Sequence, residues 1–155
     1  MQSTPASASP RTRSVESVMH ALMSVGRLIR QRGPGDTLDI GTFWLLKTIS
    51  THGSMRVTDL AQTANLDTST VSRHVTQLHR SGLLERTPDP DDRRAQRVEL
   101  SDAGREQLRT AIRNRIALLE QSLGSWELDD LEDLDRLLTR FVGDIENLTH
   151  DLEKA

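Results

Sequence analysis

The chain has 155 residues, of which 20 are basic and 23 acidic, with a mean hydropathy of −0.52. This length allows one domain or half of a symmetric pair, and no apolar run approaches the roughly 20 residues of a membrane span, which predicts a soluble protein. The absence of cysteine excludes disulfides, cysteine zinc sites, iron–sulfur clusters and thiol chemistry, and two Trp with two Phe are too few rings to stack single-stranded bases.

Residues 1–13 are rich in Ser, Pro and Ala and lack the apolar core of a secretory signal. We therefore expect a disordered tail on a cytosolic protein. From Val15 onward, apolar residues recur at steps of three and four, which predicts a helix that ends near Gly33. A second helix is expected from about Asp39 to Thr51, and Gly53 suits the left-handed position that follows a helix end.

Residues 57–78 have the pattern of a helix-turn-helix motif. We predict a short helix over Asp59–Ala64, a turn at Asn65 and a second helix over Thr68–Ser81. Ala61 is small where the two helices approach each other, and asparagine tolerates the positive φ of a tight turn. The expected shared core consists of Leu60, Leu66, Val71, Val75 and Leu78.

The second helix of this motif has a polar face opposite its apolar one. The outer face holds Ser69, Arg73, Thr76 and Arg80. Arginines bond guanine in the major groove, and short hydroxyls bond phosphates or base edges. The alternative is a solvated polar face, which usually carries glutamate and lysine. No acidic residue occurs between Thr68 and Leu84, so the pattern favours double-stranded DNA.

Two strand-like segments separated by a turn-rich loop follow, which predicts a β-hairpin wing. The tip of the hairpin carries Arg93 and Arg94 beside Asp91 and Asp92. A carboxylate can hold one of these arginines in a set direction, which suits the narrow minor groove of DNA. The alternative is an exposed ion pair of negligible energy.

A further helix is expected from the N-cap Ser101 to Leu123, and an apolar seam follows it. The seam steps by three and four residues along Leu131, Leu134, Leu138, Phe141, Ile145, Leu148 and Leu152. Residues 120–155 hold eleven acidic and three basic residues, so the negative charge is concentrated at this end. Seams of this kind pair with each other or with a second copy. We expect a homodimer, with intrachain packing as the alternative.

The order of these elements resembles the MarR family of transcription regulators, as do the segments Ser-Thr-Val-Ser-Arg, Gly-Leu-Leu-Glu-Arg, Asp-Asp-Arg-Arg and Leu-Ser-Asp-Ala-Gly. The resemblance covers nearly the whole chain after the tail. It implies a mainly α fold with a small β-hairpin wing, that is, a winged helix-turn-helix with N- and C-terminal dimerisation helices. The implied division is a tail over 1–13, dimerisation helices over 14–35 and 101–155, and a DNA-binding lobe over 36–100.

By this resemblance the protein is a homodimer that binds a pseudopalindromic double-stranded DNA operator. Arg73 matches the base-reading arginine of the family, and Arg94 matches its minor-groove arginine, braced by Asp92. The candidate contacts of the recognition helix are Thr68, Ser69, Thr70, Ser72, Arg73, Thr76, Gln77 and Arg80, and those of the wing are Asp92, Arg93 and Arg94. The candidate dimerisation residues are Val18, Leu22, Val25, Leu134, Leu138, Phe141, Ile145 and Leu148.

The resemblance also implies a small-molecule effector, often an aromatic acid, bound between the dimer helices and the lobe. Apolar walls with one or two cations suit such a ligand. The candidates on the first two helices are Met23, Arg27, Trp44 and Lys47. No metal or other cofactor is expected, because the five histidines lack paired ligand spacing. The family's thiol-based sensors need a cysteine, which this chain lacks. We expect no membrane partner.

His74 stands where the family usually has an aliphatic residue. We expect a partly buried histidine there, with a pH-responsive recognition helix as the alternative. The chain has no P-loop, no dinucleotide-binding glycine motif and no His-Glu-x-x-His motif, so we do not expect an enzyme. Repression is the expected mode of regulation. The alternative function is a winged-helix protein-interaction module without specific DNA binding.

Overall fold

The computed structural model describes residues 9–30, 38–92 and 95–154. Within these ranges the chain forms six helices and one three-stranded sheet. In chain order the elements are α1 (Pro10–Arg30), α2 (Ile40–His52), β1 (Met55–Arg56), α3 (Val57–Thr63), α4 (Thr68–Arg80), β2 (Leu84–Pro88), β3 (Gln96–Leu100), α5 (Asp102–Ser122) and α6 (Leu128–Glu153). The predicted fold class, mainly helical with a small β-hairpin, is confirmed. Over the same ranges, no helix is both long and apolar enough to cross a membrane.

Helix α1 begins earlier than the sequence pattern predicts. Ser9 caps it, because its Oγ accepts a hydrogen bond of 3.1 Å from the backbone three residues later. Pro10 takes the first helical position, where its missing N–H costs nothing. The expected disordered tail is therefore wrong for residues 10–13, because the serine–proline start outweighs the tail-like composition. Residues 1–8 and 31–37, which include the expected end of this helix, lie outside the described part of the chain.

Helix α2 agrees with its predicted bounds to within one residue. Asp39 is the N-cap, and its Oδ1 accepts the Thr42 N–H at 3.0 Å. Gly53 follows the helix with a φ of 77°, and its N–H donates to the carbonyl of Ile49 at 2.9 Å. A residue with a Cβ disfavours positive φ, so the predicted role of Gly53 as the end of the helix is confirmed.

The three strands lie in the order β1-β3-β2, and both pairings are antiparallel. Strands β2 and β3 form the predicted wing hairpin, with Leu84 opposite Leu100. Strand β1 was not predicted, because its two residues are too few to show an alternation. It pairs Met55 with Val98. Since α3 begins directly after β1, this pairing fixes the start of the helix-turn-helix motif against the wing.

One hydrophobic core lies within residues 38–111. Its buried members are Leu38, Phe43, Leu45, Leu46, Ile49, Met55, Leu60, Ala61, Val71, Val75, Leu78, Leu83, Leu84, Val98, Leu100, Leu108 and Ala111. Leu108 and Ala111 come from α5, so the core extends past the predicted lobe boundary at residue 100. The chain divides into a first compact unit over 1–115 and a second over 116–155. We call the described part of the first unit from residue 38 onward the lobe.

The start of α5 is pressed against the residue that precedes β2. A Cβ added at Gly104 would lie 2.0 Å from the carbonyl oxygen of Leu83, so only glycine fits there. Ser101 is the N-cap of α5, as predicted. Its Oγ accepts the Gly104 N–H at 3.0 Å and donates to the carbonyl of Gly82 at 2.5 Å. These contacts join α5 to the wing within the lobe.

The apolar seams of α1 and α6 are largely exposed, in contrast to the buried core of the lobe. Seven of the eight predicted dimerisation residues are exposed and Leu134 is half-buried; the exposed ones are Val18, Leu22, Val25, Leu138, Phe141, Ile145 and Leu148. Glu127 precedes α6, and Asp129 and Asp130 lie in its first turn, where a negative charge suits the helix dipole. The predicted helix is observed as α6, while the partner of its seam stays a prediction.

Candidate nucleic-acid interface

The turn between α3 and α4 has the predicted shape. Asn65 has a φ of 50°, and the Leu66 N–H donates to the carbonyl of Ala61 at 2.9 Å. Ala61 is buried, which confirms the close approach of the two helices. The prediction that Leu66 joins the shared core is wrong. Its side chain is 48% exposed, because the residue lies in the turn itself, before α4 begins.

Asp67 caps α4 and orders its first turn. Its Oδ1 accepts the N–H groups of Ser69 at 2.8 Å and Thr70 at 3.1 Å, and the Ser69 hydroxyl at 2.5 Å. The hydrogen bond from the Ser69 hydroxyl is the largest cause that holds the pKa of Asp67 below its ordinary value. Asp67 is therefore a carboxylate at neutral pH, and the Ser69 hydroxyl proton points to it.

Helix α4 has a polar, basic face opposite the buried Val71, Val75 and Leu78. Five of the predicted contact residues line one open groove along this face: Ser72, Arg73, Thr76, Gln77 and Arg80. The other three lie at the start of the helix, where Thr68 and Ser69 are exposed and Thr70 is half-buried. The structure thus brings five of the eight predicted residues of the recognition helix together on one surface, to which α4 itself contributes no carboxylate.

Arg86 on β2 reaches the same helix and was not predicted. Its Nη2 donates to Thr76 Oγ1 at 3.1 Å, and its Nη1 lies 3.5 Å from Gln96 Oε1. Alternation along β2 places Arg86 on the same face as the buried Leu84, opposite Val98 in the register. An arginine two residues after a buried leucine in a predicted strand lies on the core-facing side, and this position could have identified Arg86 from the sequence.

The base of the wing is built around Asp89, a buried carboxylate that the sequence analysis missed. Its Oδ2 accepts Arg56 Nε at 2.7 Å and Arg97 Nη1 at 3.3 Å. Its Oδ1 accepts the backbone N–H groups of Asp91 at 2.9 Å and Asp92 at 3.1 Å. The hydrogen bond from Arg56 outweighs burial and holds the pKa of Asp89 well below its ordinary range. Asp89 therefore stays charged and fixes the first residues of the wing tip.

The wing tip itself carries the predicted minor-groove contacts. Arg93 and Arg94 lie outside the described residues, and Asp92 is exposed. The bracing of Arg94 by Asp92 therefore stays a prediction. What the structure adds is the support beneath it, because the backbone of Asp92 is held by Asp89.

His74 is half-buried, as predicted. Its Nδ1 is buried and, within the part of the chain that the structure describes, has no hydrogen-bond partner. Its ring packs against the first turn of α2, where a Cβ added at Gly41 would lie 3.7 Å from His74 Cε1. This packing agrees with a histidine at the edge of the core, and a pH role for the helix stays a prediction.

The predicted effector residues are exposed side chains of α1 and α2: Met23, Arg27, Trp44 and Lys47. Trp44 packs edge-to-face on Phe43, with ring centroids 5.5 Å apart. The guanidinium carbon of Arg115 lies 4.0 Å from the centre of the Phe43 ring, a cation–π contact that the sequence analysis missed. The effector site stays a prediction.

Comparison with known proteins identifies a family and several relatives that share this fold. Residues 38–95 match the model of the MarR family. YxaD of Bacillus subtilis, an uncharacterized HTH-type transcriptional regulator, is 31% identical over 103 residues, which is 66% of this chain and 72% of YxaD. A MarR family protein from Bacillus stearothermophilus has a TM-score of 0.79 at 22% identity, over 90% of this chain and 99% of that one. Bordetella bronchiseptica BpsR, whose DNA binding is regulated by 6-hydroxynicotinic acid, has a TM-score of 0.62 at 20% identity, over 84% and 98%.

Proposed function

The chain belongs to the MarR family of winged-helix transcriptional regulators, and on that premise we propose that it is a cytoplasmic, homodimeric repressor. In this proposal the dimer binds a pseudopalindromic operator, with one α4 in each of two successive major grooves and each wing tip over a minor groove. A small-molecule effector lowers the affinity for the operator.

The observation that carries the DNA-binding proposal is the exposed face of α4. Arg73 and Arg80 lie there among Ser72, Thr76 and Gln77, and the face has no carboxylate of its own. An α-helix fits the major groove, where an arginine can bond both acceptors of a guanine edge. The acidic residues are concentrated in the last 36 residues, so overall acidity does not oppose a local attraction to DNA.

The proposal of a homodimer is supported by the exposed apolar seam of α6. A soluble protein rarely leaves a continuous apolar stripe in water, and a closed dimer with twofold symmetry buries the same stripe on both copies. Twofold symmetry also explains why the operator is proposed to be pseudopalindromic, since each lobe then meets an equivalent half-site.

The effector is proposed to be a small aromatic acid. BpsR responds to an acid of this class and shares the fold, which supports a ligand of similar chemistry here. Exposed Met23 and Trp44 offer apolar surface, and Arg27 and Lys47 offer cations for a carboxylate. The ligand acts by population shift, because it prefers a spacing of the two lobes that does not match successive major grooves.

The DNA-binding proposal is tested by selecting duplexes from a random library with the purified protein and measuring their affinity by fluorescence anisotropy. We expect a preferred inverted repeat and a steep dependence on salt. Arg73→Ala should cost about 1–3 kcal/mol on that operator and relax the preference at one base pair. Arg140→Ala, which removes an exposed arginine from α6, is the matched control and should leave the affinity unchanged.

If no sequence is enriched and Arg73→Ala binds as the unmodified protein does, the major-groove assignment is wrong. A winged-helix module for protein interaction then becomes the better account. The effector proposal is tested separately by adding 6-hydroxynicotinic acid and its neutral amide to the operator complex. We expect the acid to release DNA and the amide not to, and an equal effect of both would exclude recognition of a carboxylate.

A further inference from the structure

The hydroxyl group of Thr76 is occupied within the protein. A threonine hydroxyl has one proton to donate and two lone pairs to accept with. Thr76 Oγ1 donates to the carbonyl of Ser72 at 2.9 Å and accepts from Arg86 Nη2 at 3.1 Å. Thr76 nevertheless borders the open groove along α4. Because its proton is already used, the hydroxyl has nothing to donate to a base in that groove.

The same two bonds fix the direction of the side chain. A bond from Oγ1 to the carbonyl of the preceding helical turn selects the threonine rotamer, and the γ-methyl then takes a different staggered position on Cβ. Arg86 reaches Oγ1 from β2 and covers it from that side. The methyl group is therefore the part of Thr76 that is free to face the groove.

Arg86 differs from the arginines of α4 in what it contacts. It stands on the wing hairpin, opposite Val98 in the register, yet its shortest hydrogen bond is to Thr76 on the helix. It thus joins the two elements that meet DNA in the proposed function. Any influence of this bond on base recognition passes through Thr76, which makes Arg86 a positioning residue.

We propose that Arg86 holds Thr76 so that α4 presents a methyl group to the major groove, and that the protein therefore prefers thymine at one position of each half-site. Thymine carries a 5-methyl group at its major-groove edge, and a threonine methyl is an apolar partner for it. This inference rests on the proposed function, in which α4 lies in that groove. Thr76 is the specificity-determining residue of the pair.

The test replaces each thymine of the selected operator in turn by deoxyuridine, which lacks only the 5-methyl group. At one position of each half-site the affinity should fall about fourfold, the value of one buried methyl-sized group. At the other thymines the affinity should change less. If an operator is selected but no deoxyuridine weakens binding, the inference is overturned and the proposed function stands. If no operator is selected, both are overturned.

Two variants of Thr76 separate the methyl from the hydroxyl. Thr76→Ser keeps the hydroxyl and lacks the methyl, so the affinity ratio between thymine and deoxyuridine should fall from about fourfold to about one. Thr76→Val keeps a methyl and lacks the hydroxyl. A valine in a helix has one strongly preferred rotamer of its own, whereas threonine divides between two, so the ratio should persist here without the bond from Arg86. The opposite result, with the ratio lost in Thr76→Val and kept in Thr76→Ser, would overturn the contact between the Thr76 methyl and thymine.

Arg86→Gln tests the positioning role. A residue that contacts only a phosphate weakens binding equally on all sequences and reduces the salt slope by about one. A positioning residue changes the thymine to deoxyuridine ratio, which we expect to fall towards one in this variant, while Arg86→Lys, which keeps a donor, restores part of it. Arg140→Gln on α6 removes the same charge and should keep the full ratio. An unchanged ratio in Arg86→Gln would overturn the role of Arg86.

Discussion

The lobe and the second unit differ in where their apolar side chains lie. In the lobe, the large side chains of Leu46 and Leu60 are fully buried within one chain. In the second unit, Leu138, Ile145 and Leu148 of α6 repeat with the same helical regularity but are 43%, 45% and 60% exposed. Both sequences are amphipathic, so periodicity alone does not tell whether a seam is buried by its own chain or by another. The lobe therefore buries its apolar side chains within one chain, whereas the exposed seam of α6 agrees with the proposal that a second copy covers it.

The largest expected effect is on the seam of α6. Leu138→Glu together with Ile145→Glu places charges on the face that the proposed dimer buries. Each buried aliphatic side chain contributes about 1.5 kcal/mol or more, and twofold symmetry removes four of them, so dissociation should become at least about 10⁴-fold more favourable. Sedimentation velocity at micromolar concentration should show a monomer. Arg140→Gln, with the same fold and an exposed site, should stay a dimer.

If the double variant keeps the mass of the unmodified protein, the seam is not the interface. The lobe supplies an internal check on folding, because its core does not include either residue. Hydrogen exchange of the lobe amides should therefore remain slow in the double variant. Rapid exchange throughout the lobe would show that the fold of the lobe depends on the seam of α6.

The next largest effect is on the join between α5 and the lobe. Gly104→Ala puts a Cβ 2.0 Å from the Leu83 carbonyl, and backbone on both sides must move. We expect a loss of about 3 kcal/mol in the free energy of unfolding, measured by urea denaturation. Gly143→Ala on α6 is the control, since a Cβ there meets no atom of the described residues within 4 Å beyond its own helix backbone and chain neighbours.

For Gly143→Ala, helix propensity predicts a gain of up to about 1 kcal/mol. A loss at this position instead would indicate that another copy lies against Gly143, which sharpens the dimer proposal. Equal losses for the two glycine variants would contradict the close approach of α5 to Leu83.

A smaller effect is expected at the cap of α5. Ser101→Ala leaves the Gly104 N–H and the Gly82 carbonyl without their partner in a buried place, which should cost about 2 kcal/mol of unfolding free energy. Ser122→Ala is the matched control. Its hydroxyl donates to the carbonyl of Leu118 at the exposed end of the same helix, so we expect almost no change. Comparable losses in the two variants would show that Ser101 is not a buried cap.

The smallest effect on stability is expected from moderate acidification. Asp89 has a folded-state pKa below that of the unfolded chain, so its contribution to stability is present above about pH 4 and is lost as the pH falls further. The urea concentration at the unfolding midpoint should stay constant from pH 7 to 5 and should fall as the pH is lowered further. Asp89→Asn has no carboxylate to protonate at this position, so its decline below pH 4 should be shallower. Parallel declines in the two proteins would exclude Asp89 as a contributor.

The sequence predicted those features that depend on neighbours in the chain. The turn at Asn65, the cap at Ser101 and the helix α6 follow from local chemistry and helical spacing, and the structure has all three. The two faces of α4 were also predicted, because burial of one face by an apolar stripe exposes the other. Leu66 was assigned wrongly, since an apolar residue in a turn has no helical phase that fixes its direction.

The features that were missed depend on residues far apart in the chain. Arg56 and Asp89 are 33 positions apart and meet only because β1 and β2 both pair with β3. Arg86 and Thr76 meet only because the wing packs beside α4. A single sequence contains no measure of such distances, so it predicted the exposed basic face of α4 but not the polar contacts that support it.

The proposal that the exposed seam of α6 is covered by a second copy is tested most directly by sedimentation equilibrium on the full chain, alone and with the selected operator. We predict a free species of twice the 17.4 kDa chain mass and a complex of one such dimer per inverted repeat. A free monomer that persists to high micromolar concentration, or a complex with one chain on a full operator, would contradict it.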